Sequence, residues 1–313
     1  MGAQLRVYRR QIRSVQSTQK ITKAMELIAA SRIVKAQNRV NAARPYALEL
    51  TRALAALGKD ASLKHPLLTG ADTVRRTGIL LVTSDRGLAG GYSANAIKKA
   101  NELAASVRAD GREPVIYVIG RKGVGYYRFR QLPIAGSWTG FSEQPNFLDA
   151  RGATDTVVSA LLATSEGSVD GEPGIDELYV VYTRFDSMVS QTPTAALVAP
   201  VRLSEAEHAA LDEEASEDAP APAYEFEPEP DELLTALLPR YVRARIFSAL
   251  LESAASESAA RRRAMKSASD NAADLIKTYT RLANQARQAE ITQEISEIVG
   301  GADALAAAAG SDY

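Results

Sequence analysis

The chain has 313 residues, a formal net charge of −1 and no cysteine, which excludes disulfides, thiolate chemistry and cysteine-ligated metals. Apolar residues make up 46%, enough for a core, yet no apolar run reaches the roughly eighteen residues a membrane span needs. The opening Met-Gly-Ala-Gln-Leu-Arg shows no signal-peptide core, and His65 and His208 have no partner at ligand spacing, so neither a leader nor a metal site is expected.

From Gln4 to about Leu57 there is no glycine, and Pro45 is the only proline. Leu5, Ile12 and Val15 begin a seam that Gln19 and Thr22 continue, with Ile21, Met25 and Ile28 on a neighbouring stripe. This predicts one helix of about fifty residues, bent near Pro45. Its stripe is narrow for docking on a sheet and suits pairing with one long helix. Residues 1–48 hold ten basic residues against the single acid Glu26.

Residues 58–77 read as a connector broken by Pro66 and Gly70. Gly78–Thr83 is a continuous apolar run, as in a buried strand. Ser84–Tyr92 is a glycine-containing loop, Ser93–Val107 an amphipathic helix and Pro114–Ile119 a second strand. Asp149–Ala163 is helical and Leu178–Thr183 is another strand. The alternation predicts an α/β domain with a mainly parallel, Rossmann-like sheet. Residues 165–174 and 204–230 are polar enough to be surface loops. Twelve acids and no Lys or Arg fall between Glu205 and Glu232.

Asp231–Val299 contains no glycine and only Pro239. Asp231 suits an N-cap, and a kink is expected at Pro239. Met265, Ala268, Ala272, Leu275, Tyr279, Leu282, Ala286 and Ala289 step by three and four, the pattern of a coiled-coil seam. Sixty helical residues would span about 90 Å. The fold class is therefore α/β, with a long antiparallel two-helix coiled coil of the N- and C-terminal helices. The boundaries are 1–57 for the N-terminal helix, 58–203 for the α/β base, 204–230 for the acidic loop and foot, and 231–313 for the C-terminal helix.

No Ser/His/acid set or carboxylate pair is assembled by the spacing, so no independent active site is expected. Gly87, Gly90 and Gly91 lie between a strand and a helix, where phosphates bind in many α/β folds. They lack both GxGxxG and Gly-Lys-Ser/Thr spacing. The plainer reading is a tight turn fixed by Asp85 and Arg86. The basic N-terminal helix admits a nucleic-acid-binding alternative, but its charges are dispersed along the part that should pair. Arg261, Arg262, Arg263 and Lys266 form a second basic girdle, suited to partners on several sides. The nearly uncharged Gly301–Gly310 suits an apolar sleeve.

The runs Ser17–Met25, Ala264–Asn271 and Ala286–Val299, with Val82–Gly91 between them, resemble the signatures of the gamma subunits of bacterial F-type ATP synthases. The similarity covers nearly the whole chain in the same order. It implies a central rotor stalk that transmits torque between the proton-driven c ring and the catalytic beta subunits. The stalk would be non-catalytic and free of cofactors and metals. Its partners would be three alpha and three beta subunits, epsilon and the c ring. It would be peripheral at the cytoplasmic face of the plasma membrane, touching the membrane only through the c ring.

By motif position, Met25, Arg261, Gln288 and Thr292 resemble residues that contact beta. Lys20, Lys23, Arg32 and Arg262 are further candidates for an acidic loop of beta. Tyr224, Phe226 and Glu227 resemble the foot that meets the c ring. Glu290 stands where small residues are common in the family. Residues 165–174 read as an insertion and 204–223 as a long acidic stretch, and one of the two is expected to lie near the c ring or epsilon and to modulate rotation.

Overall fold

In a computed structural model, residues 3–57, 65–169, 171–201, 227 and 229–309 are described. The acidic stretch and the foot candidates Tyr224 and Phe226 lie outside them. The elements are α1 (Ala3–Leu57), α2 (Pro66–Thr69), β1 (Arg76–Val82), α3 (Tyr92–Ala109), β2 (Glu113–Ile119), α4 (Arg121–Phe129), β3 (Gly136–Trp138), α5 (Phe147–Ala163), β4 (Ser168–Val169), β5 (Glu172–Pro173), β6 (Glu177–Phe185), β7 (Gln191–Ala199) and α6 (Pro230–Ala309). Two compact units result: residues 1–28 with 262–313, and residues 29–261. The divisions fall inside the two long helices rather than at their ends.

In the first unit α1 buries or half-buries Leu5, Tyr8, Ile12, Val15, Gln19, Thr22 and Glu26. Steps of three and four keep these positions on one side of the helix. On α6 the matching row is Met265, Ser269, Ala272, Ile276, Tyr279, Ala283 and Ala286. The Tyr8 and Tyr279 rings lie 6.5 Å apart, and the Thr22 and Ser269 hydroxyls are hydrogen-bonded at 2.7 Å. As α1 numbers rise, α6 numbers fall, so the pair is antiparallel.

Three of the eight expected α6 seam positions are displaced by one residue, and Ala289 is exposed. Met265, Ala272, Tyr279 and Ala286 hold, but Ser269, Ile276 and Ala283 replace Ala268, Leu275 and Leu282, and Leu275 is 46% exposed. Adjacent small or apolar pairs such as Leu275-Ile276 leave the register open. The buried Thr22–Ser269 bond favours the polar member. Thr22→Val should cost about 2 kcal/mol by orphaning the Ser269 hydroxyl, and Ser269→Ala only about 1, because Thr22 still bonds the Gln19 carbonyl. Urea midpoints of the full chain check this order.

The second unit is built on a sheet of order β3-β2-β1-β6-β7. β1 pairs parallel with β2 and β6, β2 parallel with β3, and β6 antiparallel with β7. Strand alternation sends Ile79, Leu81, Ile116, Val118 and Val181 to one face, under Ala96 and Ala100 of α3 and Val124 and Tyr127 of α4. Leu80, Val82, Tyr117 and Val180 go to the other face, with Ala153, Val157 and Leu161 of α5.

Leu50, Leu54 and Leu57 of α1 and Leu234, Leu238, Val242, Ile246 and Leu250 of α6 belong to that second core. This corrects the reading that α1 is too narrow to dock on the sheet. Near its end the leucines step by three and four, which keeps them on one side of the helix.

The helix bounds differ from expectation at α6. It begins at Pro230, so Asp231 sits inside the first turn; proline suits that position because its missing N–H would be unpaired there anyway. It runs unbroken past Pro239 and through Gly300 and Gly301 to Ala309. α1 likewise continues past Pro45. Residues 165–174 form more than a loop: Ser168 and Val169 pair antiparallel with Pro173 and Glu172 in a small hairpin. Gly171 takes a φ of 86° there, where L side chains are disfavoured.

Candidate functional site

β1 runs into Thr83 and Ser84, both buried. Thr83 Oγ1 donates to the Ile119 carbonyl at 2.9 Å and accepts from the Gly123 N–H at 2.9 Å. This seats the β1–α3 loop against the start of α4. The approach is close enough that a Cβ on Gly120 would lie 2.1 Å from the Thr83 carbonyl oxygen, and Gly120 has a φ of 99°. Only glycine fits that position.

Asp85 then organises two loops. Its Oδ2 accepts from the N–H groups of Gly140 at 2.8 Å and Ser142 at 3.0 Å, and its Oδ1 from Arg121 N–H at 3.1 Å. Its own N–H donates to Ser142 Oγ at 2.8 Å. The reading of Asp85 as a loop-fixing residue holds. Its carboxylate is committed to amides of the 121 and 140–142 segments.

By hanging the 140–143 turn on itself, Asp85 presents Glu143 to α6. Arg261 is 4% exposed, and its guanidinium meets Glu257 Oε1 at 2.7 Å and Glu143 Oε1 at 3.3 Å. It also reaches the Gly87 carbonyl at 3.4 Å. The other Glu143 oxygen pairs with Arg32 of α1 and lies 3.7 Å from Arg86. Two carboxylates and three guanidiniums thus converge inside the base unit.

Glu257 has no exposed surface. Burial pushes its carboxyl up to about 7 against the pull of Arg261, and Glu143 pushes the same way. Glu257 Oε2 and Arg261 Nη1 have no aligned hydrogen-bond partner; the Glu143 contact is electrostatic only. Nearby, Tyr92 OH is bonded to Ser253, and burial followed by the Glu257 charge raises its phenol.

Elsewhere Asp176 accepts from the N–H groups of Arg75, Arg76 and Ser165. Burial works against its charge, but these donors outweigh it and lower its carboxyl. The donors tie the hairpin segment to β1.

The sequence-derived candidates divide. Lys20, Lys23, Gln288 and Thr292 are exposed, Met25 and Arg262 half-buried, and Glu227 exposed. Lys23 is paired with Glu26 at 2.9 Å. Arg261 faces inward, and the half-buried Arg32 pairs with Glu143. The girdle reading fails for Arg261, because its helical position points at the loop carrying Glu143 rather than at solvent. Sequence reasoning misses Glu257 and Glu143. The acid-to-arginine step of four from Glu257 to Arg261, in a Ser/Ala stretch, was the available signal. Nothing local marks Glu143. No group of acids and histidines able to hold a metal ion occurs among the described residues, and no described helix is long and apolar enough to cross a membrane.

These features define a protein with paired terminal helices and an α/β base, the base holding a structural charge cluster. Residues 4–305 match the family model described as ATP synthase. The chain is 57% identical to the ATP synthase gamma chain of Salinispora arenicola, over 98% of each chain. It is 55% identical to that of Streptomyces avermitilis, over all of both. It therefore belongs to the ATP synthase gamma-chain family.

Among solved structures, a chain of the Euglena gracilis mitochondrial ATP synthase aligns with a TM-score of 0.65 at 17% identity, covering 100% of this chain and 97% of that one. A chain from the Tetrahymena thermophila central stalk aligns at 0.56 and 23% identity, over 80% and 99%. These two share the fold of the chain. The nucleic-acid alternative gains no support from these relatives.

Proposed function

We infer that this chain is the central rotor subunit of an F-type ATP synthase. It carries torque between a proton-driven c ring and catalytic beta subunits and holds no catalytic residue itself. The observation that carries this reading is the full-length identity to curated gamma chains. Its partners are three alpha and three beta subunits, epsilon and the c ring, at the cytoplasmic face of the plasma membrane.

The exposed Lys20, Lys23, Gln288 and Thr292 with the half-buried Met25 and Arg262 are the proposed beta-facing residues, and Glu227 belongs to the proposed c-ring foot. A turning shaft needs contacts that exchange readily. Exposed polar side chains supply them, because surface ion pairs are individually weak. Arg261 and Arg32 would act on beta only indirectly, through the base.

Co-purification tests the assignment. The tagged chain should bring down alpha, beta and epsilon with ATPase activity; recovery of the chain alone would refute it. We also propose that the 165–174 hairpin modulates rotation. Deleting it should change ATP hydrolysis or synthesis rates in the assembled complex, and unchanged rates would refute that role.

A further inference from the structure

Within the base unit α1 passes α6 beside the 143–145 turn, leaving a narrow cleft of about 20 Å³ lined in part by Arg32, Ala36, Glu143, Leu251 and Ala254. The buried α1 residues here are Ala29, Ile33 and Ala36, and Ala254, Ala255 and Ser258 are buried on α6. Small side chains permit close approach but set rotation and register poorly. Ile33 of α1 and Leu251 of α6 are the large apolar side chains among these residues. Charged groups supply what the apolar contact lacks, since buried ionic contacts can fix register even where they add little net stability.

We propose that Arg32, Glu143 and Arg261 form a charge clamp that fixes the position of α1 against α6 within the base, with Glu143 as the bridging residue. Glu143 meets both helices, touching Arg261 of α6 with one oxygen and Arg32 of α1 with the other. Its backbone is held by Asp85 through Ser142, so the bridge stands on a fixed support. Arg32, Glu143 and Arg261 are positioning residues. The other charged or titratable groups around Glu143 are Glu257 on α6, Arg86 and Asp85 on the β1–α3 loop, Tyr92 on α3, and Lys35 and Arg39 on α1. The clamp holds whether or not the chain is a rotor, and its test needs no partner subunit.

The experiment is amide hydrogen exchange on the full-length chain, comparing α1 residues 29–40 with α3 residues 96–104. Glu143→Gln and Arg32→Gln should each speed α1 exchange roughly tenfold, with α3 unchanged. The double variant should exchange no faster than Glu143→Gln alone, because that substitution already removes the Arg32 contact. Arg32→Lys, which keeps the charge, should retain most of the protection. Unchanged α1 exchange, additive effects, or equal acceleration of α3, which would mark general loosening, would each overturn the clamp.

Discussion

Arg261→Ala will destabilise the full-length chain by about 3–5 kcal/mol at pH 8, the range for removing one partner of a buried ion pair. The side chain is nearly fully buried, so solvent does not screen the loss. What remains is Glu257 with no exposed surface and Glu143 largely covered, two carboxylates without their shared cation. The loss should shrink at pH 5.5, where Glu257 takes up a proton and one of the stranded charges disappears. Urea midpoints at the two pH values check both parts. A loss below about 1 kcal/mol at pH 8 would mean that Arg261 is dispensable to the cluster. The sequence reading placed Arg261 on a partner surface, and this experiment separates an inward role from an outward one.

Glu257→Gln will remove a pH dependence that the native chain carries. The carboxyl stands at about 7 in the fold against an ordinary 4.5. Between those values the folded chain binds more protons than the unfolded chain, so stability falls as pH rises. The contribution is fully present below the unfolded value and is lost as pH climbs through about 7. At 1.36 kcal/mol per unit the span is on the order of 3 kcal/mol. The glutamine amide oxygen can still accept from Arg261, so the variant should gain on the native chain from pH 4.5 to 7 and keep a constant advantage above. Asp176 acts in the opposite sense and elsewhere. Its lowered carboxyl stabilises above its ordinary range and is lost as pH falls through the folded value, so the two effects occupy separate windows. Parallel pH–stability curves for native and variant chains would contradict the assignment to Glu257.

Much of the architecture is legible in the sequence because long glycine-free runs and continuous apolar strands are local signals. Those signals placed α1, α3, α5, α6, β1, β2 and β6. β7 escapes because Pro193 and three alanines dilute its strand character; it forms by pairing with β6 at the sheet edge, where proline is tolerated. α4 escapes because Gly123 and Gly125 break its helical pattern. Gly123 is there for packing: a Cβ would sit 2.7 Å from Val118 Cγ1.

The charge cluster is hardest to read. Arg32, Asp85, Glu143 and Arg261 are far apart in the chain, and only the folded loops decide which arginine of the Arg261–Arg263 run turns inward. Family resemblance located the motifs and implied the rotor. It did not distinguish an arginine offered to a partner from one spent within the base.

The rotor assignment is tested most directly by watching the chain turn. Because the chain has no cysteine of its own, a single cysteine introduced at an exposed base position such as Ser106 gives a unique attachment point for a probe. With the complex anchored through its beta subunits, ATP should drive the probe in one direction in three equal steps per turn. A probe that stays still while the same complexes hydrolyse ATP would contradict the assignment.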